Sequence, residues 1–140
     1  MINMSSTLRK ILFFALPVML LASCRKNSKV PVTSSKAQIT FEVQEHDFGD
    51  SVVSDNPVVY DFVFHNTGAT PLVIQKATTG CSCTQISYDK EPVGPGEEGK
   101  IHVTYSADNG KGRFSHFVAV YSNGADSTGF TSLHIEGFVR

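Results

Sequence analysis

Tryptophan is absent from this chain of 140 residues, and cysteine is scarce, with three residues. Without tryptophan, the core of antibody domains, in which a tryptophan packs against a disulfide between two sheets, is excluded. Lysine and arginine form no dense cluster, and the formal net charge is −1. Binding of nucleic acid and electrostatic attachment to a membrane surface both need clustered cations, so we expect neither.

The sequence also has no apolar segment of roughly 20 residues, the length that a membrane-spanning helix needs. The run Ile11–Ala22 has 12 residues and follows Arg9 and Lys10, which is typical of the hydrophobic part of a secretion signal. Cys24 follows this run directly, in the sequence Leu-Ala-Ser-Cys. This is the bacterial lipobox pattern, in which the thiol of Cys24 is acylated and becomes the new N-terminus. The alternative is an ordinary secretion signal followed by an accidental cysteine.

Cleavage before Cys24 divides the chain into three parts. Residues 1–23 are the predicted lipoprotein signal peptide, residues 24–37 the lipidated N-terminus and a flexible tether, and residues 38–140 the folded domain. The signal peptide carries two cations and no acids, so its removal leaves 140 − 23 = 117 residues and changes the net charge from −1 to −3. A lipoprotein carries several acyl chains, which is enough for stable anchoring. We therefore expect attachment to a membrane of the bacterial cell envelope, periplasm-facing or outer; the sequence leaves the leaflet open.

The rest of the chain alternates apolar and polar residues with a period of two, which predicts strands. The clearest alternation runs from Val58 to His65. In the segment around Phe117, apolar residues occupy both faces, which predicts a central strand. Further strands are predicted at Ile39–Val43, Pro71–Ile74, Gln85–Ser87, Ile101–Tyr105 and Leu133–Val139.

Turn residues separate these strands. Proline and glycine make Glu91–Gly99 a loop, and Asp108–Gly112 is typical of a hairpin connection. Gly49 is expected to supply an unusual backbone angle, and Phe48 to close the edge of the core. About seven short strands with no helical period predict an all-β fold, an Ig-like antiparallel β-sandwich.

Several short motifs occur in an order that resembles one bacterial family. They are His46-Asp47-Phe48-Gly49, Phe62-Val63-Phe64-His65-Asn66-Thr67-Gly68, Pro71-Leu72-Val73-Ile74, Cys81-Ser82-Cys83-Thr84, Pro92-Val93-Gly94-Pro95-Gly96, Tyr121-Ser122-Asn123 and Ile135-Glu136-Gly137. From about Ile39 to Val139, the chain resembles the domain of unknown function 1573, which is common in secreted proteins and lipoproteins of Bacteroidetes-type bacteria. The family is similar to the Ig-like domains of the Hydin and major-sperm-protein group. The resemblance implies a fold and a location and brings no established activity. Ser82 departs from the family, which usually has glycine between the two cysteines.

Because Cys24 is assigned to lipid, Cys81 and Cys83 remain as a pair in an oxidising compartment. They could form a small, strained disulfide that is easily reduced and adds little stability. They could instead hold a soft ion, Cu(I) or Zn(II), if further ligands arrive. They could also be small apolar residues that pack a corner of the sandwich, with Thr84 bonding nearby backbone.

The histidines are the candidate further ligands, although none has a diagnostic spacing: His46, His65, His102, His116 and His134. His65 and His102 are predicted on the polar faces of their strands. No nucleophile motif surrounds the cysteines and no phosphate-binding loop occurs, so we expect no enzyme and no cofactor.

The sequence thus predicts a lipid-anchored binding or structural module of the cell envelope, with an envelope protein or glycan as its partner. The loops around Cys81 and Pro95 are the predicted contact surface. The alternative is a redox-active or soft-metal-binding lipoprotein that uses Cys81 and Cys83.

Overall fold

A computed structural model describes residues 31–52, 56–107 and 110–140 of the chain. Within those ranges the chain forms strands and one short 3-10 turn, Gly49–Ser51. The strands are β1 Ile39–Phe41, β2 Glu45–Asp47, β3 Val58–Asn66, β4 Ile74–Thr79, β5 Thr84–Tyr88, β6 Glu98–Tyr105, β7 Gly112–Ser122 and β8 Thr131–Val139. In this part of the protein no helix is long and apolar enough to cross a membrane. The predicted signal peptide and Cys24 lie outside the described residues.

The strands form two sheets that face each other. The first sheet has the order β1-β3-β6-β5 and is antiparallel throughout, and the second has the order β2-β8-β7-β4. In the second sheet β2 runs parallel to β8, whereas β7 pairs antiparallel with both β8 and β4. The predicted all-β sandwich is confirmed, with β7 as a central strand.

The core lies between the sheets and is filled by alternate residues of the long strands. Phe62 and Ile101 are paired across β3 and β6, and both are fully buried. Val118 and Leu133 are paired across β7 and β8 and are also fully buried. Period-two alternation positions these side chains on one face of each sheet, where they form the core together with the other buried apolar residues of the long strands.

Three local predictions turn out differently in the structure. Glu45–Asp47 is a strand, which its polar composition did not indicate. The predicted hairpin at Asp108–Gly112 is wrong, because β6 and β7 belong to different sheets and the connection crosses between them. The strand predicted from Pro71 begins at Ile74 instead. Gly49 does adopt a left-handed angle, with φ of 61°.

One end of the sandwich is held together by Asn66, the last residue of β3. Its side chain is fully buried. Asn66 Oδ1 accepts hydrogen bonds from the backbone N–H of Gly68 at 2.9 Å and of Gln38 at 3.4 Å. Asn66 Nδ2 donates to the carbonyl oxygens of Thr70 at 2.8 Å and Val93 at 2.9 Å. This Asn66 clamp joins the β3 end to the segment before β1 and to the loop between β5 and β6.

The chain enters the described domain at the same end. The backbone N–H of Thr33 donates to the carbonyl of Thr67 at 2.6 Å, and that of Ala69 donates to the carbonyl of Lys36 at 3.0 Å. A Cβ on Gly68 would lie 1.8 Å from the Lys36 carbonyl oxygen, so this close approach of two backbones requires glycine. Residues 33–36, which the sequence assigned to the tether, therefore already contact the domain.

Candidate functional site

The cysteine pair lies where the chain passes from the second sheet to the first. Strand β4 ends at Thr79, β5 begins at Thr84, and the four residues between them form a tight turn closed by a hydrogen bond from Thr84 N to the Cys81 carbonyl, 3.2 Å. Cys81 and Cys83 are joined by a disulfide, with their Cα atoms 5.2 Å apart. Both are half-buried, and Cys83 packs against the core.

His116 lies beside this disulfide because of the register between β4 and β7. Thr79, the last residue of β4, pairs with Val118 in an antiparallel ladder. The chain that continues past Thr79 is therefore opposite the residues that precede Val118. His116 is on the core-facing side of β7, and its Nε2 lies 3.6 Å from the Sγ of Cys83. Cys81, Cys83 and His116 together present three donor atoms that all lie within 4.8 Å of one another.

The surroundings of His116 keep its ring in place and favour its neutral form. The ring stacks on Phe114 and tilts against Tyr105, with centroids 6.0 and 5.6 Å apart. Burial lowers the pKa of His116 below its usual value of 6.5, and the nearby His134 lowers it further. At neutral pH the ring is uncharged, with one nitrogen as an acceptor.

The sulfur atoms also receive local polar contacts. The backbone N–H of Cys83 donates to the Sγ of Cys81 at 3.2 Å, and the hydroxyl of Thr84 lies 3.7 Å from the Sγ of Cys83. Both contacts place a polar group beside a sulfur atom of the closed disulfide. The half-buried disulfide can exchange with an external thiol and, once reduced, can offer two sulfur ligands and one imidazole nitrogen.

The other four histidines are engaged elsewhere. His65 bonds to Glu42 and His102 bonds to Asp61, both on the outer face of the first sheet as predicted. The ring of His46 stacks on Tyr60 with centroids 3.6 Å apart. The Nε2 of His134 bonds to the hydroxyl of Ser115 at 2.8 Å.

By sequence all five histidines are candidate ligands, and no spacing distinguishes His116 from the others. A signal was present, however. His116 has the same strand parity as Phe114 and Val118, which places it on the apolar face of β7, where histidine is uncommon. Its partner Cys83 is 33 residues away along the chain, so the spacing of the two residues in the sequence could not connect them.

Solvent reaches the site through a shallow depression bordered by Gly80, Ser82 and Ser115. Ser82 is exposed at its rim. A wider groove runs between residues 34–44 and 124–132, but its lining includes neither cysteine nor histidine. The depression at the disulfide is therefore the better candidate for chemistry.

The two loops predicted to form one contact surface lie at opposite ends of the sandwich. Cys83 precedes β5 and Pro95 follows it, in the connection to β6. The eight residues of β6 connect these ends, a distance of about 24 Å. The loop with Pro95 belongs to the Asn66 end, where the chain enters. The disulfide belongs to the other end, so the two loops cannot bind one small epitope together.

This architecture of two facing sheets, with short strands and a buried aliphatic and aromatic interior, defines an Ig-like β-sandwich domain. The family described as "Protein of unknown function (DUF1573)" matches residues 39–139. The chain belongs to that family, as the order of its motifs predicted. A comparison with curated protein sequences gives no match.

Solved structures show the same fold. A protein of unknown function from Porphyromonas gingivalis W83 superposes with a TM-score of 0.64 at 13% identity, over 76% of this chain and 49% of that one. The ASH/PapD-like domain of human CEP192 has a TM-score of 0.61 at 9% identity, over 77% of this chain and 89% of that domain. The secreted serine protease VesC from Vibrio cholerae has a TM-score of 0.57 at 13% identity, over 73% of this chain and 23% of that one. This chain thus spans about half of the first protein and about a quarter of VesC. At such low sequence identities, the comparison shows only that the fold is shared.

Proposed function

We propose that this protein is a binding or structural module of the bacterial cell envelope, without catalysis, held on a membrane by lipid on Cys24. The support for the anchor is the apolar run Ile11–Ala22 with the Leu-Ala-Ser-Cys motif that ends at Cys24, followed by the family domain at residues 39–139. The partner is an envelope protein or glycan, and it binds through loops and strand edges, as Ig-like sandwiches commonly do.

The observation that supports this function best is that the chain enters the domain at one end and the disulfide turn lies at the opposite end. The chain that comes from Cys24 enters beside Thr67 and Gly68, at the Asn66 end. The turn with Ser82 lies at the other end of β6, about 24 Å away. An anchor on Cys24 would therefore keep the Asn66 end towards the membrane and present the turn with Ser82 to partners.

Membrane fractionation tests the anchor. The variant Cys24→Ser should move the protein from the membrane fraction to the soluble fraction, because the thiol that receives the lipid is gone. The double variant Cys81→Ser with Cys83→Ser is the matched control and should stay with the membrane. If the Cys24→Ser protein remains membrane-bound, the lipid anchor is wrong.

Site-specific photo-crosslinking tests the orientation. A photoreactive residue at Ser82 should link to an envelope protein or glycan, whereas one at Pro95, exposed at the Asn66 end, should link to lipid. Crosslinks to lipid at Ser82 and to a protein or glycan at Pro95 would contradict the proposed orientation. Both positions are exposed, so neither substitution disturbs the core.

A second candidate function, redox exchange or soft-metal binding at the cysteine pair, is favoured by the position of His116 against Cys83. Thiol titration of the purified full-length protein, with and without a dithiol, tests it. Two additional thiols should react after reduction, and air should restore the disulfide. A pair that stays inert to a dithiol in the folded protein would exclude this function.

A further inference from the structure

We infer that reduction of the Cys81–Cys83 disulfide opens a Cu(I) site in which Cys81 Sγ, Cys83 Sγ and His116 Nε2 are the ligands. This inference deepens the second candidate function and depends on it, because the two sulfurs bind metal only as thiolates. Reduction by a dithiol breaks the S–S bond. Two electrons and two protons pass to the cysteines, and the dithiol becomes a disulfide. Binding of one Cu⁺ then displaces both protons from the two thiols, so the centre carries a net charge of −1.

The spacing of the sulfur and the imidazole nitrogen fits a shared metal ion. Zinc bonds of about 2.3 Å to sulfur and about 2.0–2.1 Å to nitrogen, at trigonal or tetrahedral angles, place the two ligand atoms about 3.6–3.8 Å apart. Cu(I) bonds have similar lengths. The observed separation of Cys83 Sγ and His116 Nε2 is 3.6 Å. His116 is therefore already at ligand distance while the disulfide is closed.

The second sulfur needs a small movement. When the disulfide opens, Cys81 Sγ must move from bonding distance to about 3.8–4.0 Å from Cys83 Sγ, the separation of two sulfurs on one ion. Cys81 lies in a turn open to solvent, whereas Cys83 is fixed against the core. A rotation of the Cys81 side chain provides this movement without any change in the strands.

The number of donors favours Cu(I) over zinc. Structural zinc sites are completed by four protein ligands. In the part of the chain that the structure describes, this group of candidate ligands has three members. Two thiolates and one imidazole suit both Cu(I) and zinc, so the number of ligands decides between the two ions. A three-coordinate site suits Cu(I), which accepts low coordination numbers.

The fold also explains why His116 and not another histidine completes the site. His134 is near it in the sheet, but it lies on the other face, where it stacks on Phe117 and bonds to Ser115. His116 stands between Phe114 and Val118 on the face that the β4–β5 turn covers. Its stacking on Phe114 holds the ring with Nε2 towards the sulfur.

Competition for copper tests the site in the full-length protein solubilised in detergent. Reduced protein is mixed with Cu(I) held as its bicinchoninate complex, and the loss of the colour of that complex reports transfer. We expect one Cu(I) per reduced protein and none for the oxidised protein. X-ray absorption should show two sulfur neighbours and one nitrogen neighbour.

The variant His116→Phe keeps the ring packing and removes the ligand, and we expect it to weaken Cu(I) binding at least about tenfold. His134→Phe is the matched control and should bind as the natural protein does. Near-UV circular dichroism checks that each variant is folded, and His116→Gln provides a second route if the phenylalanine disturbs packing. Unchanged affinity in both His116 variants overturns the three-ligand site, as does tighter binding of Zn(II) than of Cu(I). Failure to take Cu(I) while the disulfide still cycles in the thiol titration overturns this inference and leaves the redox function standing.

Discussion

Replacement of Asn66 by alanine should destabilise this domain more than the loss of any other polar side chain described above. The side chain is fully buried, and three of its hydrogen bonds are 2.8–2.9 Å long: those with Gly68, Thr70 and Val93. Alanine leaves the buried N–H of Gly68 without its partner, and it removes a hydrogen bond from each of two part-buried carbonyls, of which that of Val93 still accepts from the N–H of Leu72. At about 1–3 kcal/mol for the buried N–H and about 0.5–1.5 kcal/mol for each carbonyl, the loss is about 2–6 kcal/mol. A domain of this size is stable by about 5–15 kcal/mol, so the variant should lose a large part of its stability.

The matched control is Asn123→Ala. Asn123 also makes two backbone hydrogen bonds, at 2.8 Å with Val73 and 3.0 Å with Pro71, but its side chain is exposed. Water replaces those bonds, so we expect a loss below about 1 kcal/mol. Urea unfolding followed by circular dichroism measures both free energies of unfolding. If Asn66→Ala costs no more than Asn123→Ala, the clamp does not stabilise the fold and the reasoning is wrong.

Other predictions concern packing, pH and the disulfide. Gly99→Ala should lower stability by about 1–3 kcal/mol, because a Cβ there would lie 2.4 Å from the Phe64 ring, whereas Gly80→Ala, with nothing within 4 Å, should be neutral in thermal unfolding. Burial lowers the pKa of His46 below 6.5, so the folded state binds fewer protons than the unfolded state. The free energy of unfolding should therefore fall as the pH drops below 6.5. The variant His46→Gln should make this dependence of stability on pH less steep. Reduction of the disulfide should cost at most about 1.6 kcal/mol, since it closes a loop of about three residues, and a larger loss in urea unfolding with a dithiol would contradict this.

The strands that the sequence predicted well are those with one face in the core. From Val58 to Phe64 and from Ile101 to Tyr105, every second residue is apolar, and the structure buries that face. Glu45–Asp47 was missed because a three-residue edge strand, whose side chains are mostly exposed, has no apolar period to reveal it. The connection after Tyr105 was read as a hairpin because turn residues indicate a change of direction but not a change of sheet.

Asn66 was read from the sequence as a turn residue, since asparagine followed by glycine after a strand is typical of turns. It does end β3, but its side chain is a buried clamp whose partners lie up to 28 residues away along the chain. The same limitation applies to His116. Both residues act through partners that the strand order brings close, and strand order is a property of the whole sandwich.

The two ends of the sandwich differ in the kind of contact that holds them, and this difference bears on the proposed chemistry. At the Asn66 end, long-range hydrogen bonds join segments far apart in sequence, so a change there must weaken the fold. At the other end, the disulfide links residues two positions apart, and its opening releases no long-range contact.

A site that alternates between a disulfide and a bound ion needs a place where a covalent bond can open while the ligands stay near each other. The turn between β4 and β5 is such a place, because Cys83 is fixed against the core and His116 is fixed by β7. Reduction should therefore change the ligands available to a metal ion without changing the sheets, and amide hydrogen exchange of β4 and β7 should be the same in the oxidised and reduced protein.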